Sequence, residues 1–116
     1  MCKTPIAYLL HILEECNYIL SVVTDDLPMY QFLSDETLKR AVCRSLEIVG
    51  DATKKIPADV KYQWSDIQWK HMAGMRDRLI HDYMGVNYLI VWDVAKNIIP
   101  KLQPQIEAVI EKEQSR

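Results

Sequence analysis

The chain has 116 residues, of which 49% are hydrophobic and 26% charged, with a formal net charge of -2 at pH 7. A chain of this length is expected to form one domain, residues 1–116, burying roughly two-thirds of its unfolded surface without help from disulfides. Three Gly and five Pro leave little room for a loop-rich β architecture, and the acidic balance excludes nucleic-acid binding by bulk charge.

Thr4-Pro5 is a helix opening, a hydroxyl cap followed by Pro at the first helical position. Ile6, Leu9, Leu10, Leu13, Cys16, Ile19 or Leu20, and Val23 then recur at helical steps, which predicts a first helix running to about Val23. His11 and Glu15 lie one turn apart on its other side; two ligands do not make a metal site, and a solvated pair is expected. Asp25-Asp26-Leu27-Pro28 breaks the helix, and Met29 to Leu33 adds a short turn. Ser34 is then the expected cap of a second long helix with Leu38, Val42, Leu46 and Val49 on its apolar face. Gly50 inside that pattern fits either close approach of another helix or a tolerated Gly.

Lys54-Lys55-Ile56-Pro57 ends the second helix, and a loop is expected through Trp64, with Ser65 and Asp66 as caps for the third. Trp69, Met72, Ala73, Met75 or Arg76, Leu79 and Ile80 form the buried face of that third helix, and Gly74 suggests tight packing. Trp64 and Trp69 are expected to be buried or interface aromatics before they are base-stacking platforms. Met84 to Asn87 reads as a turn, with Gly85 as C-cap and Asn87 as the next N-cap. Leu89 or Ile90, Val91, Val94, Ile98, Leu102, Ile106, Val109 and Ile110 continue the helical period, with a kink or break near Ile99 to Lys101 because Pro100 and Pro104 lack backbone donors. The tail from Glu111 to Arg116 is expected to fray. The sum is an all-α, up-down bundle of four main helices, the last kinked near Pro100.

The chemically dense stretch is Gly74 to Tyr83. On a helix turning about 100° per residue, Arg76 and Tyr83 share a face, Asp77 lies one turn from His81, and Arg76 and His81 are offset by roughly 140°. A straight helix therefore does not aim both at one small group. Either the helix frays near His81, or a second copy completes the site. Arg supplies a charged donor fork for phosphate, and His exchanges protons near neutral pH, which together suffice for RNA cleavage by the ribose 2'-hydroxyl without a metal or cofactor. A basic patch for RNA is available from Arg76, Arg78 and Lys70. The plainer reading is an exposed helix end with Arg78 paired to Asp82 and Asp77 to His81.

The run Gly74-Met75-Arg76-Asp77-Arg78-Leu79-Ile80-His81-Asp82-Tyr83, then Gly85-Val86 and Ile90-Val91-Trp92, resembles the HepT family of HEPN-domain proteins. Arg44 to Ala52 resembles that family's second helix and Ile67-Gln68-Trp69 the approach to its third, so the likeness spans nearly the whole chain. The resemblance implies a small all-α homodimer whose motifs meet in a cleft, acting as a metal-independent endoribonuclease toxin beside a minimal nucleotidyltransferase antitoxin of the MntA type. By it, Arg76 and His81 are the catalytic pair and Tyr83 accepts AMP from the antitoxin; Asp77 and Arg78, their neighbours in the run, are read as supporting residues. The sequence departs from the family in Asp77, where Asn is common, and in Gln68, where Pro usually stands. A carboxylate at 77 would orient His81 and repel phosphate. This leaves a second reading, a non-catalytic partner and AMP acceptor for the nucleotidyltransferase.

Cys2, Cys16 and Cys43 show no C-x-x-C spacing, which fits reduced thiols, and no run reaches the ~18 apolar residues of a membrane span. A cytoplasmic protein with no membrane association is expected.

Overall fold

The computed structural model describes residues 5–81 and 85–115. Helix α1 (Pro5–Val22) buries Leu9, Ile12, Cys16 and Ile19, one stripe at helical spacing, against α3 (Glu36–Lys54) and α8 (Ile99–Gln114). Its opening residue is the expected Pro5, whereas the proposed Thr4 cap lies outside the described residues. Burial pushes the Cys16 thiol up to about 12, aided by the charge of Glu15, so it sits in the core as a protonated apolar group.

Between α1 and α3 lies α2 (Met29–Ser34), whose fully buried Phe32 tilts at 44° against Trp92 of α7 (Tyr88–Asp93), ring centroids 5.2 Å apart. Such a pair contributes about 1 kcal/mol beyond its area and seats α2 on α7. The cap of α3 is Asp35, not Ser34: the Asp35 carboxylate accepts from the Leu38 amide at 2.9 Å. Ser34 is instead the last residue of α2, its hydroxyl donating back to the Tyr30 carbonyl at 2.9 Å. Both residue types compete for the same job, and the tighter turn between α2 and α3 gives it to the later one.

Three further departures from the sequence reading concern where helices stop. The segment after Pro57 contains α4 (Ala58–Gln63), which packs only Val60 into the core. The expected third helix is two short ones, α5 (Trp69–Ala73) and α6 (Met75–Leu79), broken at Gly74, and α5 begins after Gln68 without a side-chain cap from Ser65 or Asp66. A Cβ on Gly74 would meet only ordinary contacts, so this glycine marks the break and not a close approach. Gly50 is the close approach: a Cβ there would stand 3.1 Å from the Met72 carbonyl oxygen and 3.3 Å from Met75 Cβ. The missing side chain lets α3 lie against α5 and α6 at their junction.

After α6 the backbone becomes extended, and β1 (Ile80–His81) pairs antiparallel with β2 (Gly85–Val86), Ile80 opposite Val86 and His81 opposite Gly85. Gly85 has φ +87°, so it is a strand residue in a conformation other residues rarely adopt, and not a helix C-cap. Asn87 caps α7 as expected, accepting from the Leu89 amide at 3.1 Å and the Ile90 amide at 3.4 Å. The irregularity expected near Pro100 is a π-helical turn, Val94–Ile98, immediately before it; the Ile99 amide reaches back to the Val94 carbonyl. Pro100 has no amide to give and its ring crowds the carbonyl four residues earlier, which the wider turn relieves. Beyond it α8 runs through Pro104 to Gln114, so most of the tail expected to fray is helical.

The core formed by these elements is all-α in character, with the two-residue strands attached at the end of α6. Among the described residues no helix is long and apolar enough to cross a membrane.

Candidate functional site

Arg76, Asp77 and Arg78 are placed by α6. Its buried residues are Met75 and Leu79, which leaves Arg76 and Asp77 exposed and Arg78 half-buried. The last helical hydrogen bond runs from the Ile80 amide to the Arg76 carbonyl, and Ile80 already has extended backbone, φ -108° and ψ 120°. The helix therefore stops before His81. The 140° offset holds only on a continuous helix and so does not describe Arg76 and His81 here. The β1–β2 pairing holds this departure, closed by the Asn87 amide donating to the Leu79 carbonyl at 2.8 Å. Asp77 and His81 no longer stand one turn apart on a helix. The His81 side chain, Tyr83 and the expected Arg78–Asp82 pair lie outside the described residues.

Arg78 has a partner that the sequence reading missed. Its Nη1 donates to Nε2 of His71 on α5. Burial, and then the guanidinium charge, hold His71 below the usual histidine range, so the ring presents a neutral acceptor at neutral pH. The signal was present: His71 and Arg78 are seven residues apart, the same spacing that relates Arg76 to Tyr83.

The stretch of sequence that carries this contact is basic. Residues 54–81 hold six Lys or Arg against three Asp, a net +3 in a chain of net -2. An open groove between α4 and α5 is lined by Lys61, Gln68, Lys70 and His71, among others, without a carboxylate. The ion pairs among the described residues are elsewhere, on α1 and α3, including His11 Nε2 to Glu15 Oε2 at 3.9 Å, the solvated pair expected. Among the described residues no three His, Cys, Asp or Glu side chains cluster to hold a metal ion. Trp69 is buried, its Nε1 donating to the Trp64 carbonyl at 3.0 Å, and Trp64 is half-buried, so neither is a free stacking platform.

The all-α bundle, with Arg76 exposed in the first turn of the short helix α6 and His81 on the extended backbone that follows it, fits the HEPN type expected from the sequence. Comparison with known proteins gives the family. Residues 12–109 match the ribonuclease HepT-like family. The chain is 44% identical over 111 residues to "Putative RNase TTE0752" of Caldanaerobacter subterraneus subsp. tengcongensis, covering 96% of this chain and 98% of that protein. It is 42% identical over 104 residues to "Putative RNase MJ0125" of Methanocaldococcus jannaschii, covering 90% and 89% respectively. It is 39% identical over 95 residues to "Probable ribonuclease HepT" of Thermococcus cleftensis, covering 82% and 86%. No solved structure matches the chain significantly. The chain belongs to the ribonuclease HepT-like family, which bears out the resemblance and the enzyme class expected from the sequence.

Proposed function

We propose that this protein is a metal-independent endoribonuclease, the toxin of a pair whose antitoxin is a minimal nucleotidyltransferase, with Arg76 and His81 as its catalytic residues. The observation that carries the reading is the end of α6 at Leu79, which puts His81 on extended backbone a few residues beyond an exposed Arg76 in a ribonuclease-family chain. In the reaction the ribose 2'-oxygen attacks the adjacent phosphorus, the bond from phosphorus to the 5'-oxygen breaks, and a 2',3'-cyclic phosphate and a 5'-hydroxyl result. His81 moves the proton between these oxygens, and the Arg76 fork stabilises the extra negative charge on the phosphorane. A homodimer would bring two such motifs into one cleft. Tyr83 is the acceptor for silencing: once a base has taken its proton, its phenolic oxygen attacks the α-phosphorus of ATP, pyrophosphate leaves, and the attached AMP adds bulk and negative charge where RNA phosphates would lie.

Incubation of the purified protein with total RNA in EDTA tests this. Cleavage leaving 2',3'-cyclic ends, lost in folded His81→Ala and Arg76→Ala, is expected; full activity in either variant would overturn the assignment. One observation favours the second reading, a non-catalytic AMP acceptor: Asp77 stands exposed beside Arg76, where it repels phosphate. A folded, dimeric, unmodified parent that leaves RNA intact yet forms a stable complex with the nucleotidyltransferase would establish that reading.

A further inference from the structure

The groove between α4 and α5 lies beside the Arg76–Arg78 helix and is not used by the chemistry above. Lys61 stands on its α4 side, and Lys70 and His71 on its α5 side. Neither lysine has an ion-pair partner among the described residues, and Asp66 lines the neighbouring cavity between α5 and α8 instead. Tyr62, next to Lys61 near the end of α4, is 86% exposed, which leaves its ring available. The groove is continuous with the cleavage helix through His71, because that ring holds Arg78. Unpaired cations on both sides of the groove, and an exposed aromatic beside one of them in the chain, are what a single nucleic-acid strand requires: fixed charges for phosphates and a π-face for a base. Ile67 and Trp69 give the groove an apolar floor, and its lining carries cations without a carboxylate, the charge complement of a phosphate backbone and not of paired protein charges.

We infer that this groove is the path of single-stranded RNA leading to the cleavage centre, with Lys61 and Lys70 neutralising backbone phosphates and Tyr62 stacking on a base. The inference rests on the ribonuclease reading for the identity of the strand, but binding is measured apart from cleavage. His71 takes part only by orienting Arg78 at the inner end of the groove.

The test is fluorescence anisotropy of the whole protein with a labelled single-stranded RNA whose 2'-hydroxyls are methylated, so that it binds without being cut. Lys61→Ala with Lys70→Ala is expected to raise Kd about ten-fold or more and to reduce the slope of log K against log salt by about 1.4, the contribution of two phosphate contacts on a single strand. Tyr62→Ala is expected to raise Kd five-fold or more, and Tyr62→Phe to bind as the parent does. Lys112→Ala on α8 serves as the control and should change neither quantity. Unchanged affinity and salt slope in the double Lys variant, with circular dichroism showing native helix content, would overturn the path even where the parent cleaves RNA. A parent that binds with these dependences and fails to cut would sink the ribonuclease reading while supporting the path. A parent with no affinity for the methylated strand would overturn the path.

Discussion

Arg78 Nη1 donates to His71 Nε2 across the break between α5 and α6, so the second cation of the site is held by an uncharged imidazole and not by a carboxylate. Because burial and the guanidinium lower the His71 pKa from 6.5, the folded protein takes up the ring's proton later than the unfolded chain does as pH falls. The stability this ring contributes is therefore full above about pH 6.5 and is lost as pH drops through the lower, folded value. Thermal unfolding of the parent is expected to show a Tm that falls on acidification below about pH 6.5. In His71→Gln, whose side-chain carbonyl can still accept from Arg78, that part of the fall should vanish. An equal pH dependence in the variant would remove His71 from the account.

Gly85 lies opposite His81 in the short ladder with φ +87°, a region that costs an L side chain about 1–2 kcal/mol. Gly85→Ala is expected to lower stability by that amount. Its larger effect should be on RNA cleavage, since the pairing with Ile80–His81 is what holds the backbone after α6 in its extended course. Unfolding in urea alongside cleavage rates separates the two. A variant with parental stability and activity would show the ladder to be dispensable.

Gly50 is a sharper case, because helix propensity alone favours Gly50→Ala by about 1 kcal/mol. The added methyl would stand 3.1 Å from the Met72 carbonyl oxygen and 3.3 Å from Met75 Cβ, so relief requires α5 and α6 themselves to move away from α3. The variant is expected to be destabilised by about 1–3 kcal/mol, the usual cost of overpacking. Measured stabilisation would mean that α5 shifts readily against α3.

Asp77 is exposed and makes no ion pair among the described residues, so Asp77→Asn should leave stability within about 0.5 kcal/mol. Removing a carboxylate beside Arg76 is expected to tighten RNA binding several-fold at low salt, with the gain shrinking as salt rises. Binding of methylated RNA at two salt concentrations reads this directly. An unchanged Kd would show that Asp77 does not face the RNA.

The long helices were legible in the sequence because their signals are local. The stripe Leu9, Cys16 and Ile19 in α1, the stripe Val42, Leu46 and Val49 in α3, and the Asn87 cap of α7 each depend on residues within a few positions of one another. The R-x4-H spacing and its surroundings likewise sufficed to recognise the ribonuclease HepT-like family. Tertiary contacts decided the rest. Trp69 to Ile80 carries a helical pattern throughout, yet the chain breaks at Gly74 and leaves the helix at Ile80, because the two halves pack separately on α3 and the residues beyond pair with Gly85–Val86. The partner of Arg78 is a ring on the preceding helix, and the relief of Pro100 comes one turn earlier as a π turn. Periodicity states which face of a segment is apolar; where the segment must stop is set by what the face packs against, and those partners are distant in the chain.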